Sequence, residues 1–80
     1  MEKDVSIDLH FMEDDLSTTV KAVLNLRGDH FEAAGRARRN PTDRPMPVIG
    51  EELALARALQ NLTANIMDAA QQKIDEYLNL

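Results

Sequence analysis

The chain has no cysteine, so neither a disulfide nor a thiolate-bound zinc can staple the fold. With that chemistry absent, the expected compartment is the cytoplasm. Aromatic residues are limited to Phe11, Phe31 and Tyr77. Glycine and proline number three each, and together they punctuate only a few places. No apolar run approaches the length of a membrane span, and the opening MEKDVSIDLHF is charged from its second residue, unlike a standard signal peptide. Eighty residues make one domain with a thin core. A domain this small, with so few large side chains, is expected to complete its core with a partner, and a homodimer is the first expectation.

What is present is strongly patterned. Val5, Ile7, Leu9 and Phe11 alternate with Ser6, Asp8, His10 and Met12, a period of two that predicts a half-buried strand over residues 4–12. EDDLS, residues 13–17, reads as a turn. Val20, Ala22, Leu24 and Leu26 then alternate with Lys21, Val23, Asn25 and Arg27, which predicts a second strand over 18–27. Gly28-Asp29 is hairpin-turn chemistry. A third strand over 30–38 places Phe31, Ala33, Gly35 and Ala37 on one face and Glu32, Ala34, Arg36 and Arg38 on the other. Short turns between consecutive strands imply an antiparallel meander.

Residues 39–49 form a loop. Asn40-Pro41-Thr42-Asp43 suits a type I turn, and Pro45 and Pro47 favour a stiff, extended path. Gly50 is the expected N-cap of a helix over 51–78, in which six alanines and no proline or glycine occur. Asn61–Asn65 is its weakest stretch. On a helical wheel the apolar residues form two stripes, Leu55, Leu59, Leu62, Ile66, Ala69 and Tyr77 against Leu53, Ala56, Met67, Ile74 and Leu78. The sheet can cover one stripe. A second copy is the expected cover for the other, with Leu53, Met67, Ile74 and Leu78 as dimer contacts. A helix of this length runs about 42 Å and a nine-residue strand about 30 Å, so the helix should overhang its sheet.

The charge distribution is uneven. The net charge is -5, yet four of six arginines, Arg36, Arg38, Arg39 and Arg44, fall within nine residues. One reading is structural: Arg36 and Arg38 pair across the sheet with Asp8 or Glu32, and Arg39 or Arg44 pairs with Asp43 to hold the proline loop. The other is an anion or RNA site in which Lys21, Arg36 and Arg38 share a sheet face and Arg39 and Arg44 extend it. Overall acidity opposes non-specific nucleic-acid binding, and base-stacking aromatics are absent from the sheet, so the structural reading comes first.

No nucleophile is set beside a base and an orienting acid, and the carboxylates are spread over turns and the polar helix face. His10 and His30 fall at opposite ends of a meander, about 25 Å apart by strand rise, too far to share a metal. EDD lacks the spaced ligands and glycine of a calcium loop. The expectation is therefore a protein that is not an enzyme and uses no cofactor or metal.

The run GRARRNPTDRPMPVIGEELALARAL, residues 35–59, resembles a family of small actinobacterial proteins classed as a domain of unknown function. The matching residues are Gly35, Ala37, Arg38, Arg39, Asn40, Pro41 and Asp43, then Ile49, Gly50, Glu52, Leu53, Ala54, Ala56, Arg57, Ala58 and Leu59. These sixteen residues are a fifth of the chain, and the upstream strands match only in pattern. The resemblance implies a fold similar to double-stranded-RNA-binding domains, in an α+β arrangement often paired as a dimer. The N-terminal helix of that fold is not expected here, since the strand pattern begins at residue 4. A similar layout in ribosome hibernation factors implies a regulatory role in stress or dormancy, with RNA or the ribosome as the alternative partner.

Overall fold

The computed structural model describes residues 1–79. Three strands, β1 (Ile7–Glu13), β2 (Ser17–Leu26) and β3 (Asp29–Arg38), form an antiparallel meander in the order β1-β2-β3. One helix, α1 (Pro47–Leu78), completes an α+β fold. No helix among the described residues is long and apolar enough to cross a membrane.

The turns follow from their residues. At the β2–β3 hairpin Arg27 and Gly28 both adopt positive φ, 54° and 85°, the pair of left-handed positions that a two-residue turn requires. At the β1–β2 turn the Asp14 carboxylate accepts the main-chain N–H groups of Leu16 and Ser17, each at 2.8 Å. The Asn40–Asp43 turn closes through the Asp43 N–H on the Asn40 carbonyl at 2.9 Å.

The helix starts at Pro47, not at Glu51 as expected from sequence. Proline needs no N–H partner in the first helical turn and already holds helical φ, so it opens the helix in place of extending the loop. Met46 is the N-cap, and Gly50 lies inside the first turn against Thr18. The run Asn61–Asn65 remains within the continuous helix.

The core is Val20, Ala22, Leu24, Ala37, Ala54, Ala58 and Leu62. Phe31, Ala33, Leu55 and Ile66 pack around it half-buried. Alternation predicted these inward faces of β2 and β3. It did not predict β1 correctly. Ile7, Leu9 and Phe11 stand opposite Leu24, Ala22 and Val20, so they share the inner face, yet every residue of β1 is exposed. The physical reason is that α1 lies across β2 and β3 and leaves β1 uncovered.

Gly35 sets that position. A Cβ at Gly35 would meet the Ala58 nitrogen, the Ala54 carbonyl oxygen and the Arg57 carbonyl carbon, all helix main chain and all inside van der Waals contact. Helix backbone thus sits directly on strand backbone, and only small residues, Ala54 and Ala58, fit on the helix side. Replacing Gly35 with alanine forces the helix off the strand. The expected loss is at least the ~1–3 kcal/mol of an overpacked core, or roughly 4–8 °C in Tm for each kcal/mol in a domain of this size. A thermal melt of Gly35→Ala that matches the parent would show that the close approach is not a constraint.

Candidate functional site

The alternation of β3 turns Glu32, Ala34, Arg36 and Arg38 outward, away from the helix. Lys21 of β2 stands opposite Ala34, and Arg36 and Arg38 stand opposite Thr19 and Ser17. The outer sheet face therefore carries Lys21, Arg36 and Arg38 together, as the sequence pattern indicates. Their partners differ. Lys21 Nζ forms an ion pair with Glu32 Oε1 at 2.6 Å, and this contact holds the Glu32 carboxyl below its ordinary range. Arg36 and Arg38 form no ion pair among the described residues; the nearest resolved charge effect is the pull of Arg36 on Asp14.

Arg39 is committed elsewhere. Its Nε donates to the Asp15 carbonyl at 2.9 Å, and its Nη1 donates to the carbonyls of Asn40, Pro41 and Asp43 at 3.3, 3.4 and 2.9 Å. One guanidinium thus ties the β1–β2 turn to the proline loop. The expected pairing of Arg39 with Asp43 occurs at the main-chain oxygen, because a planar five-donor fork matches a cluster of carbonyls.

Arg44 belongs to the rim of a cleft of about 580 Å³ between the β1–β2 turn, the end of β3 and the start of α1. Arg38 and Arg39 line it too, as do Glu13, Asp14, Asp15 and Asp43, with Met46, Ile49 and Leu53 on its apolar side. Charges of both signs interleave there, so the four arginines do not form one cationic patch.

Two carboxylates near this cleft are perturbed in opposite directions. The N–H groups of Leu16 and Ser17 hold Asp14 below the ordinary carboxylate range. Partial loss of solvent and the neighbouring Glu51 carboxyl push Glu13 up.

The feature that sequence reasoning missed is on the helix. Arg57 Nη1, Asn61 Nδ2 and Asn65 Nδ2 donate to the carbonyls of Arg36, Ala34 and Glu32 at 2.8, 2.7 and 3.1 Å. These alternate carbonyls line the free edge of β3. The helix satisfies that edge with side chains and closes it to strand pairing. The signal was the spacing of three polar donors four residues apart, which a helical wheel reads as a solvated face. The expected dimer contacts Leu53, Met67, Ile74 and Leu78 are all exposed. Lys73 pairs with Asp29 at 3.4 Å. His30 Nδ1 lies 2.8 Å from Asn25 Oδ1, and His10 stands opposite Lys21.

Fold and surface together define a small α+β protein with one capped sheet edge, one bare apolar strand and an overhanging helix. The sequence profile of the Rv2632c-like family matches residues 3–79, and the chain belongs to that family. It is 37% identical over 73 residues to the uncharacterised protein Rv2632c of Mycobacterium tuberculosis, covering 91% of this chain and 78% of the relative. It is 39% identical over 72 residues to the uncharacterised protein Mb1767 of Mycobacterium bovis, covering 90% and 72%. The crystal structure of Rv2632c superposes with a TM-score of 0.89 at 35% identity, covering 96% of this chain and 92% of that one.

The opposed carboxylates give a pH signature. Asp14, with a depressed folded pKa, contributes stability above its unfolded value of about 3.9 and loses it as pH falls through the folded pKa. Glu13, with a raised folded pKa, contributes stability below its unfolded value of about 4.3 and loses it as pH rises through the folded pKa. Asp14→Asn should therefore lower Tm at neutral pH, and Glu13→Gln should raise it. Both differences should close as the melts are taken into acid. Pairs of curves that stay parallel from neutral pH to below 4 would contradict the assignment.

Proposed function

We propose that this chain is a non-enzymatic interaction protein that acts as a homodimer in the cytoplasm, in a regulatory setting of stress or dormancy. The carrying observation is the apolar surface left open on so small a fold: the inner face of β1 and, on the helix, Leu53, Met67, Ile74 and Leu78. Exposed apolar residues grouped on one strand face and one helix stripe mark surfaces for interaction. Light scattering at micromolar concentration should return twice the 9.0 kDa chain mass. Ile74→Asp should weaken the association while leaving the sheet intact. A parent protein that runs as a monomer sinks the dimer reading.

A second reading is favoured by Arg36 and Arg38. Two guanidinium groups on one outer sheet face, without carboxylate partners among the described residues, can meet successive phosphates of structured RNA. This reading takes RNA or the ribosome as the partner of the face, in the manner of a hibernation-type factor. Binding through it should weaken as salt rises, because each neutralised phosphate releases counterions. Arg36→Gln with Arg38→Gln should flatten that salt slope and leave the melting curve nearly unchanged. Undiminished RNA affinity in the folded double variant removes this face from consideration.

A further inference from the structure

We propose that the bare inner face of β1 is the seat of a second copy's helix end: residues 67–78 of each chain lie on the β1 face of the other, exchanged about a two-fold axis. The inference rests on the dimer reading above and specifies its surface.

Three observations lead to it. The first is the room beside α1. The helix lies over β2 and β3, and strands are about 4.8 Å apart. A second helix at the usual 8–10 Å from α1 then falls over β1. The apolar residues waiting there are Ile7, Leu9 and Phe11, which stay 44%, 41% and 38% exposed although they continue the rows of Leu24, Ala22 and Val20.

The second is the unmatched end of α1. Its buried positions stop at Leu62, and Ile66 and Ala69 are the last that are half-buried. Met67, Ala70, Ile74 and Leu78 follow at spacings of three and four, one continuous stripe. Met67, Ile74 and Leu78 are 64%, 51% and 73% exposed. Twelve helical residues run about 18 Å, and the seven residues of β1 run about 23 Å. The stripe and the strand are matched in length.

The third is closure. Each chain offers one bare strand face and one bare helix end, so a reciprocal exchange satisfies both and leaves neither for a third chain. At about 200 Å² for a large apolar side chain, the two surfaces supply roughly 600 Å² of apolar area per chain, enough for the apolar share of a standard interface of ~800 Å² per partner. Of the two sheet edges, that of β3 is already closed by Arg57, Asn61 and Asn65, and that of β1 is open.

The absence of native cysteine makes the test direct. Leu9 and Ile74 lie near the centres of the two surfaces, so they meet whichever way the helix end runs. A Leu9→Cys chain and an Ile74→Cys chain are mixed, allowed to exchange and oxidised, with circular dichroism confirming that each is folded. A disulfide requires Cα atoms within about 7 Å, so it reports contact and not mere proximity. The expected product is a mixed disulfide: the mixture shifts to twice the chain mass on a non-reducing gel, and neither chain oxidised alone does. A dimer by light scattering that joins only Leu9→Cys to Leu9→Cys pairs through strand edges. One that joins only Ile74→Cys to Ile74→Cys pairs through helices alone. Either outcome, or a dimer that forms no disulfide, overturns the exchange and leaves the dimer standing. A monomer overturns both.

Discussion

The structure depends on one contact: the backbone of α1 resting on the backbone of β3 at Gly35. With no Cβ there, and with Ala54 and Ala58 on the helix side, the two elements approach closer than ordinary side-chain packing allows. That approach fixes the helix over β3 and β2 and brings the flank of the helix alongside the free edge of β3. Only from that position can Arg57, Asn61 and Asn65 reach the carbonyls of Arg36, Ala34 and Glu32. The same placement withdraws cover from β1. A closed edge on one side of the sheet and a bare strand on the other are consequences of a single glycine–alanine contact.

The clustered arginines divide along the same lines. Arg39 is structural, since its guanidinium bonds carbonyls on both sides of the junction between the β1–β2 turn and the proline loop. Arg36 serves the fold through its main-chain oxygen and keeps its side chain on the outer face. Several residues that carry the family resemblance are those with such tasks: Gly35, Ala54 and Ala58 in the close approach, Arg57 on the β3 edge, Arg39, Asn40 and Asp43 in the loop. The motif thus describes how the helix is seated. The outward side chains of Arg36 and Arg38 are not needed for that purpose, which leaves them available for a ligand.

Much of the architecture was legible because strand alternation and turn chemistry are local. The faces of β2 and β3 and the Asn40–Asp43 turn need only near neighbours in sequence, whereas the hairpin turn expected at Gly28-Asp29 falls one residue earlier, at Arg27-Gly28. What escaped depends on where α1 lies. Alternation shows that Ile7, Leu9 and Phe11 share a face, but not whether anything covers it. A helical wheel weights large apolar residues, so it drew two stripes and passed over Ala54 and Ala58, which are the most buried positions on the helix. It also set Arg57, Asn61 and Asn65 in the polar arc, where a donor to a strand edge and a solvated side chain look alike. The helix start was misplaced because Pro47 reads equally as the end of a loop or the first helical residue.

The close approach also limits what the chain can achieve alone. Of the seven core residues, Ala22, Ala37, Ala54 and Ala58 are alanines, each contributing little apolar area. The larger apolar side chains, Phe11, Met67, Ile74 and Leu78 among them, stand outside the core. Helix and strand gain intimacy at the expense of volume, and a domain of this size has little volume to spare. Burial at about 25 cal/mol per Å² is the dominant favourable term in folding, so surface left in water is stability not realised. In this fold the unrealised part is concentrated on β1 and the end of α1, outside the reach of the chain's own core. In the proposed dimer, association and stability are therefore the same problem: the glycine contact that holds the monomer together is also what leaves the surface for a second copy.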